Sequence, residues 1–139
     1  HTFYDGIDYG GNTPSKLEHI DFSYPFSENL RLSLIAAAQQ QGLAVFNKAV
    51  YGVTQGPRLE TAAEINHLER SGCDVVGMTA MPEAALAREL GMDYASVCLV
   101  VNPAAGRGKG LITMEDIHRV IDAGMAEVQQ LIAKAIQLL

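Results

Sequence analysis

No run of apolar residues in this chain approaches the roughly twenty that a membrane-spanning helix needs, and its start carries no signal-peptide pattern. The expected location is therefore the cytoplasm. Positive charge is scarce as well. The net charge is −6, and the few Lys and Arg residues are scattered, so no basic field exists to attract nucleic acid. Cysteine is limited to Cys73 and Cys98, neither in a CxxC nor paired with a histidine at metal-ligand spacing; both read as reduced core thiols. There is also no Ser/His/Asp constellation and no metal-ligand cluster. Covalent-nucleophile and metal catalysis thus have no support, and no organic or metal cofactor is expected.

What is present is enough apolar content, 48% over 139 residues, for one compact domain spanning 1–139. The chain begins at His1 with a polar, glycine-rich stretch. Residues 1–26 show no sustained period and read as an extended loop, and an N-terminal part is expected to precede them. Ser27 then caps a helix with apolar Leu30, Leu34, Ile35 and Ala38 at helical spacing, stopped by Gly42. Residues 43–55 suggest one long strand or two short ones, broken by Gly56-Pro57. A helix is expected over residues 60–70, a buried strand over 73–78, a helix from Pro82 to Leu90, and a very apolar strand over 94–101. Residues 102–110 hold Pro103, Gly106, Gly108 and Gly110, which reads as a mobile lid. They do not match the phosphate-loop pattern G-x-x-x-x-G-K-[ST]. Thr113 caps a last helix whose stripe of Ile117, Val120, Ile121, Val128, Leu131, Ile132 and Ile136 would lie against a sheet. Alternating strands and helices with short loops imply α/β architecture.

Glu60, Met78-Thr79 and Asn102 all fall at strand or turn exits, where one sheet can aim them at a common ligand. An ionised carboxylate only accepts hydrogen bonds, whereas an amide both donates and accepts. Together Glu60 and Asn102 match a ring carrying an N–H beside a carbonyl, as in a 6-oxopurine but not in adenine. Each residue also has a plainer reading: Glu60 as a helix N-terminal acid, Asn102 as a turn former, Thr79 as a helix cap and Met78 as core. His67 and His118 fall on helices and read as solvated, while His19 lies in a loop among aromatics, within reach of a ligand or partner.

The runs Gly56-Pro-Arg-Leu-Glu-Thr-Ala-Ala-Glu64 and Val76-Gly-Met-Thr79, the Pro82-Glu83 pair and the strand into Asn102 resemble the purine nucleoside phosphorylase and methylthioadenosine phosphorylase family. The likeness runs from about His19 onward. Val100-Val-Asn-Pro-Ala-Ala-Gly106 is most similar to the bacterial branch that acts on S-methyl-5′-thioinosine. The fold this implies is a mixed central sheet flanked by helices, here lacking its N-terminal half.

The resemblance implies phosphorolysis, with inorganic phosphate as co-substrate. Glu60 and Asn102 would bind the 6-oxopurine, Asn102 stabilising the departing base as negative charge grows on it. Met78 would line the ribose and Thr79 would hold phosphate, while Tyr51, Leu59 and Val76 would shape the pocket. Relatives that act on adenine analogues place an acid at the position of Asn102 and another at that of Ala104, and lack Glu60. Ile117 stands where ordinary nucleoside phosphorylases carry a histidine for the 5′-hydroxyl, so 5′-methylthioinosine is the expected substrate. His19 matches a position that reaches the neighbouring subunit's site in relatives, and a homotrimer is implied. The family's N-terminal phosphate loop and Arg-His motif are not in this sequence. A general inosine/guanosine phosphorylase and a non-catalytic purine-binding or assembly fragment are the other readings.

Overall fold

A computed structural model describes residues 19–139 of the chain; the glycine-rich loop expected before them lies outside the described residues. The first helix, α1 (Glu28–Gln41), opens where Ser27 turns its hydroxyl to accept the Leu30 N–H. It closes where Gly42 enters the left-handed region and Leu43 N–H reaches back to Ala38 O at 2.9 Å. The next two helices, α2 (Ala62–Arg70) and α3 (Ala80–Glu89), end in the same way: Cys73 N–H returns to Leu68 O and Met92 N–H to Ala87 O. The last, α4 (Met114–Ile136), is capped by Thr113, whose hydroxyl accepts the Asp116 N–H. The chain order is thus α1, β1 (Tyr51–Val53), α2, β2 (Val75–Gly77), α3, α4.

β1 and β2 form a parallel pair, with Tyr51 opposite Val75 and Val53 opposite Gly77. Asp74, the one charge in an otherwise apolar run, explains itself at the entry to this pair. Its carboxylate accepts the Val50 N–H at 2.7 Å, and its own N–H donates to Val50 O. The connection through α2 is the short crossover that parallel strands require.

Three sequence-based expectations change. The strand expected within residues 43–55 reduces to three residues, because only those pair with β2. Residues 94–101 are not a laddered strand, although burial alternates over 96–101 as a strand's would. Among the described residues, their backbone groups make one backbone hydrogen bond outside themselves, Ser27 N–H to Tyr94 O at 2.7 Å. Alternation records a two-sided environment; a strand also needs a neighbour. The α4 stripe is narrower than expected. Ile117, Ile121, Gly124, Val128, Leu131 and Ala135 face inward, while Val120, Ile132 and Ile136 are exposed.

That stripe packs mainly on α1 rather than on the sheet. Ala37, Ala38, Leu131 and Ala135 form the buried cluster, with Leu34, Leu43 and Val97 packed against it. Small residues bring the two helices close, and farther up α4 a side chain at Gly124 would collide with Leu99. Cys73 is half-buried as expected for a core thiol, but Cys98 is exposed, since it falls on the open side of the alternating segment.

Candidate active site

The mouth of the β1–β2 pair is where the sequence motifs converge. The Gly77 backbone lies directly beneath the Tyr51 ring, so any side chain there would occupy the space of the phenol. Gly56, at φ 64°, similarly leaves room for Met78, whose Sδ would stand 2.5 Å from an added Cβ. Glycine at these two positions leaves the space that the Tyr51 and Met78 side chains occupy.

Tyr51, Leu59, Glu60, Val76, Met78, Thr79, Asn102 and Ile117 all line a single cleft of about 720 Å³. Of the residues singled out from sequence, only His19 is absent from its walls; it is exposed at the start of the described residues. Ile117 reaches the cleft from the first turn of α4, and Asn102 from the bend after residues 94–101.

The plainer readings separate at this level. Glu60 lies two residues before α2, and Thr61 and Glu64 perform the capping: Glu64 N–H donates to the Thr61 hydroxyl, and Thr61 N–H donates to the Glu64 carboxylate at 2.7 Å. The helix expected to begin at Glu60 therefore starts at Ala62, and the helix-start acid is Glu64. Glu64 is also gripped by both Arg58 amino groups at 2.9 and 2.7 Å. The Arg58 bonds, and then those from Thr61, hold its carboxyl well below its ordinary 4.5, at about 2. Among the described residues, Glu60 is therefore in no ion pair. Its carboxylate instead accepts a 2.5 Å bond from the Thr54 hydroxyl.

Thr79 makes no side-chain cap to α3, where Met81 breaks the helical dihedrals and regular helix resumes at Pro82. Its hydroxyl is 3.3 Å from the Tyr51 phenol, and its N–H points at the same oxygen at 3.4 Å. Asn102 does serve its turn, with Nδ2 donating to Pro103 O at 2.8 Å. One N–H is committed, which leaves the second N–H and the carbonyl oxygen for a ligand. Met78 is a half-buried wall residue rather than a core methionine.

The glycine-rich loop, expected as a mobile lid, makes side-chain contacts with α2. Arg107 donates to Asn66 Oδ1 at 2.8 Å and pairs with Glu69, both on α2, while Arg107 N–H closes a turn onto Ala104 O. Neither this latch nor Thr54 was singled out from sequence. A threonine at a strand exit, six residues before Glu60, is the local signal for Thr54. The latch joins residues about forty apart and has no local signal. Among the described residues, no group of His, Cys, Asp or Glu is arranged to hold a metal ion.

Residues 2–137 match the family described as the phosphorylase superfamily. The chain belongs to that superfamily. A probable S-methyl-5′-thioinosine phosphorylase of Pseudomonas syringae pv. tomato is 55% identical over 121 residues, covering 87% of this chain and 49% of that protein. A 6-oxopurine nucleoside phosphorylase of Pyrococcus furiosus is 41% identical over 138 residues, covering 99% of this chain and 52% of that one. Among solved structures, methylthioadenosine phosphorylase from Schistosoma mansoni in complex with adenine superposes with a TM-score of 0.83 at 25% identity, over 92% of this chain and 52% of that one. The α/β phosphorylase fold is thus established for this superfamily member. The chain spans about half the length of the curated relatives it matches.

Proposed function

We propose that the intact protein catalyses phosphorolysis of a 6-oxopurine nucleoside, converting 5′-methylthioinosine and phosphate to hypoxanthine and 5-methylthioribose 1-phosphate. The observation that carries this reading is the presence of Glu60, Asn102 and Ile117 on the walls of one cleft. A phosphate oxygen bonds to the anomeric carbon as the bond from that carbon to the purine nitrogen breaks, and the electron pair leaves with the base. Asn102, with a donor and an acceptor to spare, meets the charge that grows on the base; that interaction is strongest in the transition state. Glu60 accepts the ring N–H that distinguishes hypoxanthine from adenine. Met78 lines the sugar, Thr79 offers its hydroxyl to phosphate, and Tyr51, Leu59 and Val76 complete the walls.

Ile117, on the cleft wall, supports one of the two closest chemistries over the other. A buried 5′-hydroxyl beside isoleucine would lose its hydrogen-bond partner, whereas a methylthio group gains contact. The name of the Pseudomonas relative supports the methylthio substrate, and that of the Pyrococcus relative supports the broader 6-oxopurine class. No cofactor beyond phosphate is required. A homotrimer in the cytoplasm, with His19 reaching a neighbour's cleft, completes the reading; His19 lies exposed and outside its own cleft.

The test is an assay of the intact gene product with methylthioinosine, methylthioadenosine and inosine, each with phosphate. Preference for methylthioinosine is expected. Preference for methylthioadenosine would overturn the reading, and equal turnover of inosine would replace it with a general inosine/guanosine phosphorylase. The non-catalytic alternative rests on the half-length span of the chain, and a native mass of 14.9 kDa with no companion chain would favour it.

A further inference from the structure

The Glu60 carboxylate stands outside α2, beside an exposed leucine, and among the described residues it forms no ion pair, because nearby Arg58 is committed to Glu64. Among the described residues, one hydrogen bond orients it, the 2.5 Å donation from Thr54. Thr54 is itself held firmly. Its N–H donates to Gly77 O at 2.9 Å, which continues the β1–β2 ladder one residue beyond β1. A hydroxyl has one proton to give. Gly77 O is 3.4 Å away, so the shorter contact to the charged oxygen takes that proton.

We propose that Thr54 is a positioning residue for base selection: it occupies one Glu60 oxygen and thereby presents the other to an N–H donor in the cleft. This rests on the purine reading of the cleft given above. With Oε1 committed to Thr54, the carboxylate has fewer orientations open to it, and its other oxygen can only accept. A 6-oxopurine brings an N–H to that place; a 6-aminopurine brings a lone pair and is repelled. Without the Thr54 hydroxyl, the carboxylate is free to rotate about its side-chain torsions. Affinity for the right base and rejection of the wrong one then fall together, although no group touching the base has been removed.

Calorimetric titration of hypoxanthine and of adenine into the intact protein, its Thr54→Val variant and its Thr54→Ser variant tests this, with a melting curve for each. Valine keeps the shape and removes the proton donor, so hypoxanthine should bind roughly tenfold more weakly while adenine is unchanged or slightly tighter. Serine should restore the wild-type ratio. Hypoxanthine binding within twofold of wild type in Thr54→Val overturns the inference. So does an equal loss for both bases that serine fails to rescue, which would make Thr54 merely the end of a strand. If the wild-type protein binds neither base, the purine reading fails first and this inference falls with it; the wild-type titration therefore separates the two failures.

Discussion

The α1–α4 contact and the cleft at the β1–β2 exits are built from opposite materials. In the helix pair, Ala37 and Ala38 are wholly buried, and Leu131 and Ala135 nearly so, with no polar group among them. In the cleft no named wall residue is fully buried, and the local hydrogen bonds run from Thr54 to Glu60, between Tyr51 and Thr79, and from Asn102 Nδ2 to Pro103 O. Dispersion and the exclusion of water hold the centre of the first region together, with an exposed hydrogen bond from Gln41 Nε2 to Gln130 O beside it, and the apolar part is non-directional. Hydrogen bonds hold the second and are directional. If the cleft binds ligand as proposed, variants in the two regions should separate stability from binding.

The largest effect is expected from Leu131→Ala. Truncating a leucine packed between two helices should cost about 2–5 kcal/mol of stability, read as a lowered denaturation midpoint, with ligand affinity of the remaining folded protein unaltered. If the midpoint holds, the helix pair is not the stabilising region. Glu60→Gln is the converse variant. It keeps the shape but replaces an acceptor-only group with one that also donates, and should weaken hypoxanthine binding by about 1–3 kcal/mol with the melting temperature nearly constant. Unchanged affinity in a titration would remove Glu60 from the site.

The smallest effect concerns the exposed acid next to the cleft. The carboxyl of Glu64 is depressed from 4.5 to about 2 by Arg58 and Thr61, so its contribution is complete above about pH 4.5 and is lost as pH falls toward 2. Melting temperature measured over that interval should fall less steeply in Glu64→Gln than in the wild type. Parallel curves would mean that the Arg58–Glu64 pair is too well solvated to matter.

The residues that line the cleft could be picked out in advance because their signals are local. Gly56-Pro57 before Glu60, the buried run into Met78 and Thr79, and the apolar run into Asn102 each state where a chain leaves a packed layer, and those exits share a cleft. Helix ends at Gly42, Ser71-Gly72 and Gly91 were equally legible, since the left-handed turn that closes a helix favours glycine. Three of the errors have a common origin. Strand length over residues 43–55, the ladder over 94–101 and the direction faced by α4 all depend on what lies alongside, which no local pattern specifies. The start of α2 was misplaced for a different reason: an acid at residue 60 and another at 64 both suit a helix N-terminus, and the Thr61–Glu64 reciprocity selects the second.

Side-chain chemistry, turn positions and helix limits were thus properties of the sequence itself, because each is decided within a few residues by backbone sterics and hydrogen-bonding capacity. Only the tertiary structure decided that Glu60 is oriented by Thr54 rather than by its own helix, and that Arg107 ties its loop to α2. Such contacts hinge on where separate elements come to rest, which the packing of the chain as a whole determines.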